Sequence, residues 1–502
     1  MNVRSIFYIL GWILILEAVF MLLPVATAVL YGESQGMAFV MTMAICGAVG
    51  GLLISRKPKN PRFYAREGFV ITALCWIVMS AMGCIPFMLT GEIPRFVDAF
   101  FETVSGFTTT GASILTDVET ISRCSLMWRS FTHWIGGMGV LVFLLAVLPM
   151  VGGTNMQLMK AESPGPTVGK LVPKVRYTAQ ILYRLYVLLT VLQIVLLMVG
   201  GMDLFEALCI SFGTAGTGGF GVRNSSIAEY SPYLQWVITV FMIAFGVNFN
   251  VYYLILLRKF KKALRCEEMR WYLAIILVAA LMICINIYDT ALSVEQNVRI
   301  ALFQVASVIT TTGFSTVNFD LWPELSRAIL VLLMFIGTCA GSTGGGLKVS
   351  RIVMAGKSVH ACLGSFLHPR SIRRIRFEGK DVDDGTLRVI FAYFCGMAGI
   401  FVTSVLIVSL ENFDLISTFT AVATTINNVG PALGVAGPAS NFSGFSDLSK
   451  WVMAFDMLAG RLEVFPMLML FYPPLWKETI ADARRRKRLG GVGRPYPARK
   501  GE

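Results

Sequence analysis

Ten apolar stretches constrain this 502-residue chain more than any other feature of its sequence. A helix needs about 20 apolar residues to cross a hydrocarbon core of about 30 Å. The stretches lie near 5–31, 37–55, 68–90, 125–150, 178–201, 233–257, 271–290, 325–356, 385–410 and 449–473. Hydrophobic residues make up 55% of the chain and charged residues only 15%, which a water-soluble fold could not bury. The sequence therefore predicts an all-α polytopic membrane protein and excludes a nucleic-acid-binding domain or a secreted disulfide scaffold.

Basic residues are distributed unevenly between the two sides that ten spans define. With the N-terminus inside, the inner segments hold 32 Lys and Arg residues and the outer segments hold 7. Because Lys and Arg accumulate in cytoplasmic loops, both termini are predicted to be cytoplasmic. The basic tail at 484–488 then lies against anionic lipid or, alternatively, docks a partner. The net charge of +13 reflects this topology and predicts no nucleic-acid partner.

Four gaps between spans, all on the predicted outer side, share a pattern. Each contains a half-helix of about 12–15 residues, too short to cross the bilayer, which begins near Asp98, Asp203, Gln296 or Asp414. Each half-helix runs into a glycine turn, and these turns occupy 108–112, 216–220, 310–314 and 427–431. Alignment on Gly111, Gly218, Gly313 and Gly430 gives spacings of 107, 95 and 117 residues. Repetition on this scale predicts one pseudo-symmetric assembly of four helix–pore helix–helix repeats around one central pore.

The repeats divide the chain into six predicted segments. Residues 1–66 form two extra N-terminal transmembrane helices, and 480–502 form the basic cytoplasmic tail. The four pore repeats occupy 67–176, 177–269, 270–382 and 383–479.

The glycine turns are candidates for a cation site. Irregular backbone at membrane depth is tolerated where it is buried in protein or lines a water-filled cavity. Rings of carbonyl oxygens can replace the hydration shell of a monovalent cation, and the turns contain no carboxylate that would favour a divalent ion. The predicted K⁺-binding residues are Thr110, Gly111, Thr217, Gly218, Thr312, Gly313, Val429 and Gly430. The alternative for any single turn is a simple helix cap, which fourfold repetition disfavours.

Several motifs resemble the Trk/Ktr/HKT superfamily of potassium transporters, and the bacterial Trk-type membrane subunit fits best. These motifs are the glycine turns with the run 105–112, His133-Trp134-Ile135-Gly136-Gly137-Met138-Gly139, the run 340–348, and Gly460-Arg461-Leu462-Glu463. The resemblance implies potassium uptake in a bacterial cytoplasmic (inner) membrane, K⁺ as the transported ion, a homodimer with one pore per subunit, and a cytosolic nucleotide-binding regulatory partner. Two departures are that the fourth turn lacks a Thr run and that Gly219 follows the aligned glycine of the second turn. Strict K⁺ channels use a longer signature in each copy, so a single glycine per turn predicts fewer cation sites and leaves Na⁺ permeation open.

A glycine-rich segment in the eighth span is the candidate gate. Residues Gly341, Ser342, Thr343, Gly344, Gly345 and Gly346 make a continuous helix costly, so a broken helix is expected there. In the tenth span, Arg461 is predicted to bond to carbonyls of this segment and hold it closed, and Lys348 is a second candidate of this kind. The alternatives are close helix packing through small residues and a structural ion pair of Arg461 with Glu463 or Asp456.

Other ionisable residues give weaker indications. Glu102, Glu206 and Asp414 either concentrate cations at the outer mouth or serve the helices that contain them. The three histidines are too dispersed for a metal site, and His133 is predicted to be packed at a span end. The ten cysteines are scattered and read as small hydrophobic residues.

Three rival functions remain to be compared with the channel-like pore. One is the K⁺-binding subunit of a P-type pump complex, and another is an ion-coupled secondary transporter with a midplane site. The third is an intramembrane enzyme, which is not expected because the sequence contains no HExxH, GxSxG or P-loop motif.

Overall fold

A computed structural model of the chain describes residues 3–55, 65–139, 175–368, 374–474 and 476. The basic tail at 484–488 and most of the basic segments at 56–66 and 151–176 lie outside the described residues. The predicted orientation therefore stays a prediction.

Two N-terminal spans precede the repeats. The first consists of α1 (Val3–Phe20) and α2 (Leu22–Tyr31), and the second is α3 (Gly36–Ser55). Helices α1 and α3 pack closely because Gly11 and Gly50 face each other, and a Cβ on Gly11 would lie 2.8 Å from the carbonyl oxygen of Gly50. Small residues at such a crossing allow the two backbones to approach within van der Waals contact.

Each repeat contains a first helix, a pore helix and a second helix. Repeat 1 consists of α4 (Ala65–Gly83) with α5 (Ile85–Thr90), the pore helix α6 (Phe96–Phe107) and α7 (Arg123–Gly137). Repeat 2 consists of α8 (Val175–Val199), the pore helix α9 (Leu204–Gly216), and α10 (Pro232–Phe245) with α11 (Phe249–Leu256). A short helix, α12 (Phe260–Leu264), leads to the next repeat.

Repeat 3 consists of α13 (Glu267–Asn286), the pore helix α14 (Val294–Ile309), and α15 (Glu324–Ile336) with α16 (Val349–Leu367). An antiparallel hairpin of β1 (Arg376–Phe377) and β2 (Lys380–Asp381) follows, with Arg376 opposite Asp381. Repeat 4 consists of α17 (Asp384–Val408), the pore helix α18 (Leu415–Asn427), and α19 (Asp447–Arg461) with α20 (Phe465–Leu470). Single-turn 3₁₀ helices occur at Phe319–Leu321, Ser409–Glu411 and Gly434–Ala436.

The short pore helices and the long helices differ in how much of their surface is buried. The four pore helices are mostly buried, whereas α3, α8 and α17 leave large apolar side chains exposed along their length. Exposed leucines on long apolar helices are expected where the solvent is lipid. Asp203 and Asp414 begin α9 and α18 as N-cap residues, because their carboxylates accept the Phe205 and Ser417 N–H groups.

Among the described residues, six helical segments are long and apolar enough to cross a membrane, and the bent pair α10–α11 makes a seventh. The other three predicted spans are the fourth, the eighth and the tenth. The fourth is described only to the end of α7 and the two residues that follow, and the eighth is divided into α15 and α16, as its glycines predicted. The break, at 337–348, is longer than the predicted 341–346.

Two spans that were predicted to be continuous are broken. The sixth bends by 94° between α10 and α11, where Asn248 caps the new helix by accepting the Asn250 N–H. The backbone groups freed at this bend bond to the break in repeat 3, since the Cys339 N–H donates to the Gly246 carbonyl and the Phe249 N–H donates to the Gly341 carbonyl. The tenth span breaks between α19 and α20, where Glu463 and Val464 have φ of 59° and 66°.

Candidate functional site

The four glycine turns share one backbone conformation. The left-handed residues Thr109, Thr217, Thr311 and Asn428 have φ between 56° and 58°. Two residues later each turn has a glycine with φ between 79° and 107°, and these glycines are Gly111, Gly219, Gly313 and Gly430. The residue between them donates its N–H to the carbonyl five residues back, as Thr110 does to Ser105. Bulky or β-branched residues rarely adopt a positive φ, so three threonines there mark a conformation imposed by the surroundings.

This equivalence shifts the second turn by one residue from the sequence alignment. Gly219, and not Gly218, takes the position of Gly111 and Gly313. Gly218 is the equivalent of Thr110 and donates its N–H to Gly213 as Thr110 does to Ser105. The alignment failed because two adjacent glycines in the sequence do not reveal which one has the positive φ.

The turns meet in a closed ring, in chain order. A Cβ added to Gly111 would overlap the carbonyl oxygen of Gly218, and one on Gly219 would overlap that of Thr312. Likewise a Cβ on Gly313 would overlap the Val429 carbonyl, and one on Gly430 would lie 2.7 Å from that of Thr110. All four glycines also line one open cavity. Any side chain at these positions would displace a neighbouring carbonyl, so the ring requires glycine for its spacing as well as for its φ.

Such a ring can bind a cation without formal charge. Carbonyl oxygens supply the ligands, and each pore helix ends at its turn, which directs the partly negative end of the helix dipole toward the ring. The predicted residues of the first, third and fourth turns lie in corresponding places, and Thr217 takes the left-handed place of Thr109.

His133 supports the second turn from behind. A Cβ on Gly218 would overlap the His133 imidazole, which occupies the space filled by a threonine or valine side chain in the other turns. The His133 ring bonds through Nδ1 to the Gly106 carbonyl at 2.8 Å and accepts the Phe220 N–H through Nε2 at 3.3 Å. His133 is packed and buried, as predicted, but sequence reasoning missed its place behind the ring. The signal available was the extra glycine in the second turn, Gly218, at the position where the other turns have Thr or Val.

Side chains join the fourth turn to the first. The Asn428 amide nitrogen donates to Thr110 Oγ1 at 3.0 Å and to the Met457 carbonyl at 2.8 Å. Within the first turn the hydroxyls of Thr108 and Thr110 are 2.8 Å apart. Asn428 therefore stabilises the closure of the ring, although the fourth turn lacks a threonine run.

The acidic residues of the pore helices make internal contacts. Glu102 and Arg129 form a buried ion pair at 2.8 Å, and Glu102 also accepts the Ile114 N–H. Glu206 pairs with Arg223 at 3.0 Å. Asp414 is the N-cap of α18. These contacts favour the helix and packing roles over cation concentration at the mouth.

The break at 337–348, here called the intramembrane loop, lies against the third and fourth turns. The Gly345 N–H donates to Thr311 Oγ1 at 2.7 Å, and a Cβ on Gly344 would lie 2.9 Å from the Thr310 carbonyl oxygen. A Cβ on Gly345 would overlap the Asn427 carbonyl. The predicted residues Gly341–Gly346 therefore include two glycines whose small size allows the loop to contact the ends of two pore helices.

Two cationic side chains bond to this loop. Arg461 donates to the Thr343 carbonyl at 2.7 Å and also to the carbonyls of Gly136 and Gly137 at the end of α7. Lys348 is buried and donates to the Gly344 carbonyl. The predicted contact of Arg461 with a loop carbonyl is present.

The two acids considered as structural partners of Arg461 have other contacts. Glu463 forms an ion pair with Arg351, and Asp456 accepts a hydrogen bond from the Ser404 hydroxyl at 2.7 Å. Arg461 thus connects the intramembrane loop to repeat 1 across the ring.

Comparisons with known proteins identify relatives of this chain. A family model described as TrkH, cation transport protein, matches residues 35–478. The Trk system potassium uptake protein TrkH of Escherichia coli (strain K12) is 37% identical over 490 residues, which cover 95% of this chain and all of that protein. TrkG of the same strain is 32% identical over 482 residues, covering 95% and 99%. The crystal structure of the potassium transporter TrkH from Vibrio parahaemolyticus superposes with a TM-score of 0.84 at 32% identity, covering 95% of this chain and all of that one.

Proposed function

Because the chain belongs to the TrkH family of cation transport proteins, we propose that it takes up potassium through a selective pore lined by the four glycine turns. The observation that carries this proposal is the closed ring in which each turn's glycine contacts the carbonyl of the next turn. K⁺ is the transported ion, held in the ring by backbone oxygens. We keep the predicted K⁺-binding residues in this proposal and add Gly219, which takes the place of Gly111 in the second turn.

The intramembrane loop is the gate of this pore. It lies against the ends of the third and fourth turns, and Arg461 holds it there through the Thr343 carbonyl. Lys348, the last residue of the loop, bonds to the Gly344 carbonyl and fixes the shape of the loop from within. A cation that leaves the ring would meet this loop and the two positive charges bound to it. Opening therefore requires the loop to leave its contacts with the turns.

The proposed assembly is the one implied by the resemblance to the Trk-type membrane subunit. Two copies form a homodimer in the bacterial inner membrane, each with its own pore and with both termini in the cytoplasm. By the same resemblance, a cytosolic nucleotide-binding subunit controls the loop. Any control by a nucleotide that depends on a P-loop would come from this partner, since the sequence contains no such motif.

Rubidium uptake into K⁺-loaded proteoliposomes tests the proposal, with external K⁺, Na⁺ and Li⁺ as competitors. External K⁺ should block uptake by the native protein far better than Li⁺ does. Gly219→Ser and Gly313→Ser should lower flux or ion discrimination by about tenfold or more, because each adds strain and displaces a carbonyl of the ring. If the native protein shows no uptake, Arg461→Ala is tested to separate a closed gate from a wrong assignment.

Gly91→Ser is the matched control for these two variants. Gly91 has a similar left-handed φ of 77°, but a Cβ there would meet no atom within 4 Å. Gly91→Ser therefore introduces the same kind of backbone strain as Gly313→Ser, but its side chain contacts no carbonyl. Equal losses in Gly91→Ser and Gly313→Ser, or uptake that is insensitive to K⁺, would contradict a pore built on the glycine turns.

A further inference from the structure

One carboxylate outside the intramembrane loop bonds to both ends of it. Oε1 of Glu268, in the first turn of α13, accepts the Ala340 N–H at 2.6 Å and the Ser350 N–H at 3.2 Å. Ala340 lies at the start of the loop, and Ser350 lies just beyond its end, in the first turn of α16. Glu268 is 3% exposed. A single buried side chain thus fixes the separation of the two ends of the loop.

The same carboxylate contacts the bend in repeat 2. The Asn248 amide nitrogen lies 3.5 Å from Glu268 Oε2, at the limit of a hydrogen bond. The residue after Asn248, Phe249, donates its N–H to the Gly341 carbonyl at 3.1 Å. Glu268 therefore lies where the loop, α16 and the bent helix of repeat 2 meet.

The backbone of Glu268 is held in turn by the β1–β2 hairpin. Glu378, in the hairpin turn, accepts the Glu268 N–H at 3.0 Å, and the neighbouring Glu267 forms an ion pair with Lys357 of α16. These contacts fix the first turn of α13 against the segment that follows the loop. The position of the Glu268 carboxylate is thereby set by groups on both sides of the loop in the chain.

We propose that Glu268 is a positioning residue of the gate, which clamps the ends of the intramembrane loop and keeps it against the glycine turns. This inference rests on the proposed function, because it assigns a cause to the closed state of that gate. The clamp depends on the length of the side chain. Aspartate is one methylene shorter and cannot bond to both ends of the loop, whereas glutamine has the same length and keeps an oxygen at the place of Oε1. Release of the clamp frees the loop while the carbonyl ring stays intact.

Glu268→Asp and Glu268→Gln form the matched pair that tests the clamp, by rubidium uptake without any partner protein. Glu268→Asp keeps the charge and loses the reach, and its basal flux should rise on the order of tenfold, with unchanged preference for K⁺ over Na⁺. Glu268→Gln should stay within about twofold of the native protein, because it keeps the acceptor oxygen. Unchanged flux in Glu268→Asp, or an equal rise in both variants, would overturn the clamp.

Labelling of Cys339 gives a second measurement that does not depend on transport. Cys339 adjoins Ala340 and is fully buried, so a maleimide should modify it slowly in the native protein. In Glu268→Asp its labelling, followed by mass spectrometry of the peptide that contains it, should accelerate on the order of tenfold. Equal rates in folded native and variant protein would contradict loop release.

Ser350→Pro provides a variant outside α13 in case Glu268→Asp does not fold. It removes one N–H that the clamp holds, and proline is tolerated in the first turn of a helix. Its basal flux and Cys339 labelling should rise as well, and unchanged values for both would overturn the clamp. The proposed function would be refuted if neither the native protein nor the Arg461→Ala variant showed uptake that K⁺ inhibits. Uptake that is K⁺-sensitive but unaffected by Glu268→Asp would refute only the clamp.

Discussion

Replacing Arg461 by alanine is expected to raise the ion flux of the isolated protein. The guanidinium donates to the Thr343 carbonyl of the intramembrane loop and to the carbonyls of Gly136 and Gly137 in repeat 1. Alanine removes the bond that joins the loop to repeat 1 and removes a positive charge from the ion path. Both changes favour conduction.

The size of the increase in flux can be worked out from the one hydrogen bond of Arg461 that is present in the closed loop and absent when the loop opens. Only the bond to Thr343 breaks when the loop moves, because the bonds to Gly136 and Gly137 join Arg461 to the end of α7. A hydrogen bond from a charged donor contributes about 1.5–3 kcal/mol. Its loss shifts the equilibrium between closed and open loops by about 10- to 150-fold. Basal flux should rise by a factor in this range if the native loop is mostly closed.

The assay is rubidium uptake into proteoliposomes with equal amounts of folded protein, checked by gel filtration and thermal unfolding. Arg327→Ala is the control, because it also removes one partly buried guanidinium, but Arg327 lies outside the loop and forms its ion pairs with Asp320 and Glu324. Its basal flux should match that of the native protein. Unchanged basal flux in folded Arg461→Ala, or an equal rise in Arg327→Ala, would refute the reasoning.

Three further predictions follow from single contacts. Gly218→Thr should destabilise the protein by about 1–3 kcal/mol through overlap with the His133 ring, and His133→Gly in the same chain should recover part of its unfolding temperature. Glu102→Ala should cost about 3–5 kcal/mol, measured by thermal unfolding in detergent, because it leaves the buried charge of Arg129 without its carboxylate; a loss as small as that of an exposed pair would contradict this. Lys348→Met should raise rubidium uptake less than Arg461→Ala does, since its main bond lies within the loop. A larger rise would instead make Lys348 the principal restraint.

The four turns of the candidate site could be predicted from the sequence, because each is marked by residues that are close together in the chain. A glycine after a short apolar helix, found four times on one predicted side, is readable without knowledge of the fold. The alignment of the second turn on Gly218 was nevertheless wrong by one residue. The reason is a contact from another helix: His133 excludes a side chain at 218, and the positive φ falls on Gly219. A turn whose identity depends on a neighbour 85 positions away cannot be aligned from its own residues.

Of two breaks in the helices, one could be predicted from the sequence and the other could not. The interruption of the eighth span was readable from its glycines, because each one costs helix stability wherever it stands. The bend between α10 and α11 was not readable, since an apolar run around Gly246 is compatible with a continuous span. It is stabilised by hydrogen bonds to Cys339 and Gly341, which lie in a different repeat.

The sequence by itself determined the class of protein, the four repeats, the glycine turns and the interruption of the eighth span. Each of these depends on composition or on residues close together in the chain, and the bilayer converts such patterns into structure because it penalises every unpaired backbone group. Only the tertiary structure decided which glycine completes the ring, what Arg461 bonds to, and that Glu268 joins both ends of the loop. These contacts join residues that are 72 to 325 positions apart, and hydrogen bonding at that separation depends on how the repeats pack rather than on any local pattern.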